Sequence, residues 1–377
     1  MLIFSPVSIR PEDSTGPDND SIVDSGSGST EDDAETGKDE KKEEIKRLGV
    51  VPLPIAYYTP ESSFGFGAGI MFTFRGKGDT LDDRPDSLMF MGVYTLKNQY
   101  AVNLVPDFYF DRENWELKVE SNYSRMPSSF FGNGNDSKPD SEEDYTLAQA
   151  MVKPWIIRKV YRRFRVGLVF DFKWADLVES EKDGLLDQRR LGGETGGIQS
   201  GFGPVLDWDS RDNLFFPARG GLYRFNAIFY RSPLGSDFDY EAYALDLRKY
   251  VALDKRQKHV LALQGLGLAV VGEVPFFERA RIDFIRGIYA ERFLDRILCG
   301  TQVEYRFPIY WRFLGAVFAA AGDVGDKMED FRIEDFKYGG GAGLHFVVNK
   351  QEKVTIRLDV GFSPWGIFPY FQFQEAF

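Results

Sequence analysis

The most distinctive residues for chemistry are an arginine and a glycine in a long polar connection, Ile285-Arg286-Gly287. Arginine presents a rigid, permanently charged fork of donors that suits carboxylates. The glycine beside it permits a sharp reversal of the chain. This pattern predicts a connection that folds back and is pinned by ion pairs to acidic side chains. The alternative is an arginine that is simply solvated at the surface.

A second group of residues has the spacing of a well-capped turn. Aspartate and serine side chains bond local backbone, proline fixes φ, and glycine accepts a positive φ. The group comprises Asp209, Ser210, Arg211, Asp212, Pro217 and Gly220. A local structural role in a turn between two strands is the simplest interpretation.

The residues that catalysis or metal binding would require are scarce. The chain has two histidines, His259 and His345, and one cysteine, Cys299. It has no Gly-x-Ser-x-Gly nucleophile motif, and the single cysteine fits no metal motif. The net charge of -12 argues against nucleic-acid binding, which needs a basic surface. We therefore expect no enzyme, no catalytic or metal-ligating residues, no cofactor and no nucleic-acid partner.

The elements that must position these residues have the period of β-strands. Trp115, Leu117 and Val119 alternate with charged neighbours, and so do Val354 and Ile356 with Lys353, Thr355 and Arg357. This alternation continues for more than 300 residues of the 377 without a helical segment or an apolar run of eighteen residues. Aromatic residues make up 15% of the chain, and there are 38 glycines. These features favour an outer-membrane barrel over a soluble β-sandwich or propeller array.

The alternation predicts an all-β fold, an antiparallel transmembrane β-barrel of about sixteen strands. The predicted strands are 51–58, 64–75, 87–97, 99–110, 115–126, 144–156, 160–174, 196–209, 221–232, 238–251, 258–271, 297–308, 313–322, 338–348, 353–362 and 368–377. An even number is what single-chain bacterial barrels require.

Two regions are predicted, a disordered acidic arm at 1–47 and the barrel at 48–377. The arm combines few apolar residues with dense charge, which cannot repay the entropy of folding. Met1–Ser8 contains an apolar stretch, but it lacks the basic start and the length of a complete export signal. One interpretation of this stretch is the remnant of an export signal, and the sequence leaves that question open.

The lengths of the connections predict the orientation. The longest ones, 127–143, 175–195 and 272–296, all follow odd-numbered strands, and most connections after even-numbered strands are shorter. The connections 76–86 and 210–220 are exceptions, because they are long although they follow even-numbered strands. Because outer-membrane barrels have long outside loops and short periplasmic turns, both termini are expected in the periplasm.

Strand parity predicts what lies in the lumen. Glu304 and Asp359 face inward and are the candidate partners of Arg286, whose loop would fold into the barrel. The last predicted strand carries Phe371, Phe373 and Phe377. By parity alone, these are an ordinary lipid-facing edge of alternating aromatics.

The conjunction of these segments resembles the BamA/TamA-like outer-membrane barrels of the bacterial surface antigen type. Asp209–Gly220 resembles the family's D-[ST]-R-D…P…G element, and Ile285–Gly287 resembles its V-R-G-[FY] loop motif. Phe318 to Gly322 resembles an F-x-D-x-G strand. The end of the chain, with Phe371, Phe373 and the last residue Phe377, resembles a C-terminal insertion signal. Leu53–Phe74 and Phe130–Gly134 are similar to a compact Bacteroidetes branch. The resemblance covers about 48–377.

Three departures accompany the resemblance. Ile288 stands where the family has an aromatic residue, and Ala320 stands where it has an acidic one. In addition, residues 1–47 do not have the length or periodicity of the family's periplasmic POTRA domains. In the family, POTRA domains receive client chains. We therefore do not expect this chain to assemble other barrel proteins in general without help from a partner.

The resemblance implies a barrel that aids insertion or translocation of protein or lipid at the bacterial outer membrane. A weak seam between the first and last strands would serve this, and Pro52, Pro54, Pro364 and Pro369 lie near it. The expected partners are outer-membrane lipid, the barrel-assembly machinery during the chain's own insertion, and periplasmic or outer-membrane accessory proteins. The alternative is a passive pore or a structural or adhesin barrel without transport chemistry.

Overall fold

A computed structural model describes residues 46–59, 63–80, 83–138, 141–181, 184, 186 and 191–377. The strands are β1 (Leu48–Thr59), β2 (Ser63–Phe74), β3 (Asp86–Thr95), β4 (Tyr100–Phe110), β5 (Trp115–Phe130), β6 (Glu143–Tyr161), β7 (Phe164–Ser180), β8 (Gly197–Asp209), β9 (Gly220–Tyr230), β10 (Tyr240–Ala252), β11 (Val260–Gly272), β12 (Ala280–Arg281), β13 (Leu294–Asp295), β14 (Ile297–Tyr310), β15 (Phe313–Gly325), β16 (Lys337–Asn349), β17 (Val354–Ser363) and β18 (Gly366–Phe373). Four single-turn 3-10 helices lie in the described connections, at Ser232–Leu234, Phe276–Glu278, Met328–Asp330 and Ile333–Asp335.

Sixteen of these strands form one antiparallel sheet, in which each strand pairs with the next along the chain. β12 and β13 form a separate two-stranded ribbon in the connection between β11 and β14. The predicted fold class and strand number are therefore confirmed. The predicted arm lies outside the described residues except for Lys46 and Arg47.

The two faces of the sheet differ as a lipid-embedded barrel requires. On β7, Phe170 and Phe172 are exposed on one face, whereas Asp171 between them is fully buried on the other. Acidic, basic and amide side chains recur on the inner face, and large apolar side chains on the outer face. None of the helices among the described residues is long and apolar enough to cross a membrane.

The connections divide between the two ends of the sheet. The long-loop end carries 131–142, 181–196 and 273–296, and the short-turn end carries turns such as 162–163 and 311–312. Both exceptions to the length rule, now 75–85 and 210–219, lie at the short-turn end. The chain enters β1 and leaves β18 at that same end.

The last strand is shorter than predicted. The alternation indicated a strand over 368–377, but β18 ends at Phe373. Gln374 has a positive φ of 64°, and the residues after it turn away from the sheet. The aromatic pattern continues past this point, so it did not reveal where the strand ends.

Candidate functional site

Arg286 lies inside the barrel, at the tip of the connection between β11 and β14. Its Nη1 donates to Asp359 Oδ2 at 2.7 Å, and its Nη2 donates to Glu304 Oε2 at 2.8 Å. Both carboxylates are fully buried on the inner wall. The loop motif and its two candidate partners, which are far apart in sequence, therefore meet in the lumen.

The backbone of the loop is held as firmly as the arginine. The Gly287 N–H donates to the Tyr370 hydroxyl at 2.6 Å, and the Ser363 hydroxyl donates to the Gly287 carbonyl. Gly287 has a φ of 111°, and a Cβ there would lie 2.8 Å from the Phe362 carbonyl carbon. Only glycine fits this reversal against β17.

Apolar packing fills the space around the charged tip. Ile285 and Ile288 are buried in one cluster with Phe284. The Phe284 ring lies against Gly322, where a Cβ would be 2.6 Å from the ring. Ile288 is thus a core residue of the loop, although the resemblance has an aromatic residue there. Ala320 borders the same cluster and supplies no carboxylate.

The ion pairs of Arg286 belong to a larger group, which we call the lumen network. Six of its members are buried residues of the inner wall or of the loop that enters the lumen. The seventh is Glu375, which follows β18 and has a buried side chain. Its seven side chains are Arg286, Glu304, Arg306, His345, Arg357, Asp359 and Glu375.

The network links the loop to the last residues of the chain. Glu304 accepts from Arg306 Nε at 2.8 Å, and Arg306 Nε lies 3.1 Å from Glu375. His345 lies between two carboxylates, with its Nε2 3.2 Å from Asp359 and its Nδ1 3.1 Å from Glu375. Three arginines face three carboxylates, which allows a buried cluster of this size to be charge-balanced.

Four members of this network were not among the residues predicted for the site. The signal was present in strand parity, because Arg306 and Arg357 have the same inward parity as Glu304 and Asp359. His345 is one of only two histidines in the chain, and a single histidine in a strand does not indicate an ion-pair network. Glu375 follows the end of β18 and could not have been found by alternation.

The turn motif, Asp209 to Gly220, connects β8 to β9 and is held by hydrogen bonds and ion pairs of its own side chains. Asp209 accepts from Arg211 Nη2 at 2.8 Å and lies 3.0 Å from Arg84 Nη2. Asp212 Oδ1 accepts from the backbone of Ala218 at 2.9 Å, across a segment that includes the buried Pro217. Gly220 has a φ of 90°, and a Cβ there would lie 1.9 Å from the Ser210 carbonyl oxygen.

The turn carries two phenylalanines into the lumen from the short-turn end. Asn213 Oδ1 accepts from the N–H groups of Phe215 and Phe216, at 2.9 and 2.7 Å. Phe216 lies under Arg306, with 5.5 Å from the guanidinium carbon to the ring centre. The length exception at 210–219 therefore reflects a connection that folds inward.

The three terminal phenylalanines lie in different environments. Phe371 is exposed on the outer face, and Phe373 is half-buried. Phe377 is buried in the lumen against Tyr250, and its carbonyl accepts from Arg306 Nη2 at 3.1 Å. Its role as an insertion signal remains a prediction, and the side chain is not on the lipid-facing edge.

The two edge strands of the sheet meet at a seam, defined here as the junction of β1 with β18. Among the described residues, no hydrogen-bonded pairing joins β1 to β18. Ile356 and Phe373 have outward parity, yet they pack with the inward-facing Val51, Leu53 and Met71. The C-terminal edge therefore overlaps the inside of the N-terminal edge at the short-turn end.

Polar contacts hold the seam at its short-turn end. Arg75, directly after β2, donates from Nε and Nη2 to the two carboxylate oxygens of Glu352 at 2.9 and 2.8 Å. The Lys46 N–H donates to Gln351 Oε1 at 2.9 Å. Glu352 and Gln351 lie in the turn between β16 and β17, so these bonds connect the two ends of the sheet.

Together, the fold and the lumen define a sixteen-stranded transmembrane barrel filled by its own loop, turn and tail. The model of the Omp85 superfamily domain matches residues 66–364, and the chain belongs to that superfamily. The resemblance to BamA/TamA-like barrels is thereby supported. Barrels of this type reside in the bacterial outer membrane.

Two solved structures illustrate the shared fold. BamA from Haemophilus ducreyi lacking POTRA domains 1-3 has a TM-score of 0.55 and 14% identity, over 88% of this chain and 70% of that chain. CdiB from Acinetobacter baumannii has a TM-score of 0.55 and 11% identity, over 88% and 60%. At these identities the likeness concerns the fold alone. No curated protein matches the chain.

Proposed function

We propose that this barrel aids the insertion or translocation of polypeptide, or of lipid, at the outer membrane by opening at its seam. The observation that carries the proposal is that, within the described part of the chain, no ladder pairs β1 with β18. Every other neighbouring pair in the sheet is hydrogen-bonded, and even the shortest register, between β8 and β9, joins seven residue pairs. Opening the seam would therefore break side-chain contacts but no strand ladder.

The chemistry of the two edges supports this proposal. Backbone groups left unpaired in lipid each cost several kcal/mol, on the order given by transfer to an apolar medium. An edge strand with free N–H and C=O groups is a template for a strand of another chain. Pro54 in β1 and Pro369 in β18 interrupt the donors of these edges, which weakens pairing between them.

The contents of the lumen favour this function over a passive pore. The tip at Arg286, the turn at Phe216 and the tail at Phe377 all lie on the inner wall and contact one another through the lumen network. A pore needs a continuous water path, whereas these three segments fold into the lumen and contact its wall. We place the short-turn end and both termini in the periplasm, with the accessory proteins and assembly machinery as partners there.

The proposal is tested by locking the seam. Met71→Cys and Gln374→Cys, in a Cys299→Ser background, place thiols at side chains that now lie 3.9 Å apart across it. Met71→Cys with Met89→Cys is the matched control, because these residues are register partners within the continuous sheet. Each pair is joined with a short bis-maleimide in vesicles that contain the folded protein.

The probe is an unfolded copy of residues 48–377, added to the vesicles as a client. We expect the uncrosslinked protein and the crosslinked control to accelerate folding of the client, measured by heat-modifiable gel mobility. The crosslinked seam should remove the acceleration. Equal acceleration by both crosslinked proteins would overturn seam opening, and steady ion conductance without acceleration would favour the passive pore.

A further inference from the structure

A basic cleft opens at the short-turn end, under the lumen. Its volume is about 580 Å³, and its described lining includes eight Arg or Lys residues against four Asp or Glu. It is bounded by the ends of β2 and β6, the turn after β6 and the inward-folded turn 210–219. We call this feature the basic cleft.

Half of the cleft's cations are already neutralised by neighbours. Arg84 pairs with Asp209 at 3.0 Å, and Arg165 pairs with Asp207 at 2.6 Å. Arg75 and Arg211 are also paired. These ion pairs link the residues of the cleft wall to one another and to their neighbours.

The other four cations form no ion pair within the part of the chain that the structure describes. They are Lys159, Arg162, Arg163 and Arg219. Arg162 and Arg163 make up the whole two-residue turn between β6 and β7, and both are exposed. Four unpaired cations around one concave site create a positive field that a polyanion would neutralise.

The chain carries a segment of complementary charge. Residues 1–45 contain thirteen Asp or Glu and four Lys or Arg, a net charge of -9 out of the total of -12. The densest run is Glu31, Asp32, Asp33 and Glu35, so four carboxylates fall within five residues. Their number equals that of the unpaired cations in the basic cleft.

The point at which this segment joins the barrel is the rim of the cleft. The Arg75 N–H donates to the Arg47 carbonyl at 2.9 Å, and Arg75 itself lines the cleft. Glu35 lies eleven positions before Lys46, a separation that can reach at most roughly 36–40 Å. A tether of this kind gives an effective concentration in the millimolar range.

We propose that the basic cleft binds a carboxylate-rich segment, and that its occupant is this chain's own residues 31–35. The contact is electrostatic, so it weakens as ionic strength rises. This inference goes beyond the proposed function and does not depend on the identity of any client.

The test uses a zero-length carbodiimide crosslink, which joins a carboxylate to a lysine amine, on the purified full-length chain in detergent. Lys159 is the acceptor in the basic cleft, and the exposed Lys255 and Lys258 in the turn after β10 report background. Mass spectrometry is expected to find residues 31–35 joined to Lys159 severalfold more often than to either reference lysine. High salt should remove the difference.

Matched variants separate the cleft from charge in general. Arg162→Gln, Arg163→Gln and Arg219→Gln together should abolish the Lys159 crosslink. The control triple variant Lys255→Gln, Arg256→Gln and Lys258→Gln removes equal charge from another turn at the same end and should preserve it. Heat-modifiable mobility verifies that each variant folds.

Variants of the arm leave the barrel untouched and provide a second readout. Neutralising Glu31, Asp32, Asp33 and Glu35 to their amides should remove the crosslink, whereas neutralising Glu12, Asp13, Asp18 and Asp20 should not. Crosslinking to Lys255 as frequent as to Lys159 would overturn the proposal. So would the absence of a Lys159 crosslink in a wild-type protein that binds inorganic polyphosphate, since the occupant would then be a separate anion.

Discussion

The guanidinium carbon of Arg286 lies 3.2 Å from the centre of the Phe318 ring. The arginine therefore stacks on the inner wall while its two Nη groups donate to Glu304 and Asp359. A planar guanidinium can do both at once, because its donors lie in the plane and its face remains free. Lysine, a point charge on a flexible stem, cannot reproduce this arrangement.

The first prediction concerns Arg286→Ala, which leaves two buried carboxylates short of a partner. The expected local cost is on the order of 2–5 kcal/mol in a dry lumen and less if water enters. Loop 273–296 should become sensitive to added protease on intact cells while the barrel still folds. Arg286→Lys should rescue protection only in part.

Arg296→Ala is the control for this prediction, because Arg296 lies in the same loop but is half-exposed and pairs with Asp326 at the rim. It should retain protection. Equal protease resistance of wild type and Arg286→Ala would mean that the ion pairs do not hold the loop.

The second prediction isolates the backbone from the charge. Gly287→Ala retains Arg286 but places a Cβ against the backbone of Phe362 at a positive φ. The expected cost is about 1–3 kcal/mol, and the loop should open as it does in Arg286→Ala. Gly132→Ala also has a positive φ but meets nothing within 4 Å, and it should have the smaller effect on protease sensitivity. If the two alanine variants behave alike, crowding at Phe362 is not what fixes the loop.

Sequence alone predicted the sheet well, because a period of two is a local property of each strand. It also placed Glu304 and Asp359 on the inner wall, since parity decides which face a side chain takes. It did not predict Phe318 under the guanidinium or Tyr370 on Gly287, because these contacts depend on how deeply the loop enters. The inward turn of Glu375 and Phe377 was missed for a related reason. No periodicity records where a strand leaves its sheet.

The third prediction is a pH dependence in the lumen loop. Burial raises the pKa of Asp283 to about 6, with the nearby Arg281 opposing the shift and Glu291 adding to it. The folded protein thus favours the protonated form, so this group's contribution to stability is greatest below its unfolded pKa of about 3.9. The contribution falls as pH rises through about 6. Asp283→Asn should therefore be stabilised relative to wild type at neutral pH, and the difference should vanish near pH 4.

The stabilities are compared as thermal unfolding midpoints of wild type and variants at each pH. Asp254 is the control, because its pKa is shifted in the opposite direction. The His259 N–H and two further backbone donors in the exposed turn after β10 lower the pKa of Asp254. Its stabilising contribution is present above the unfolded pKa and is lost as pH falls, so Asp254→Asn should be the less stable variant at neutral pH. A flat difference between Asp283→Asn and wild type from pH 4 to 8 would contradict the buried-carboxyl interpretation.

The fourth prediction concerns orientation. Asn133 is exposed at the long-loop end, and Lys255 is exposed at the short-turn end. In a Cys299→Ser background, Asn133→Cys should react with an impermeant thiol reagent on intact cells. Lys255→Cys should react only after the outer membrane is permeabilised. The reverse pattern would place the termini outside the cell and would exclude the proposed topology.

The last prediction concerns Arg75 and Glu352, the bidentate ion pair across the short-turn end of the seam. Both side chains are almost fully buried, at 3% and 2% exposure, so removal of one partner leaves a charge without compensation. We expect Arg75→Gln or Glu352→Gln to cost about 3–5 kcal/mol locally. Because no ladder joins β1 to β18 among the residues that the structure describes, this loss should weaken the seam. It should therefore lower the temperature at which half of the protein loses its heat-modifiable mobility. Arg248→Gln breaks an ion pair with Asp246 inside the continuous sheet. In that control, the neighbouring ladders should keep the strands together, so accessibility of Met71→Cys to a thiol reagent should rise only in the seam variants. Equal accessibility in the Arg75 and Arg248 variants would show that the ion pair does not hold the seam closed.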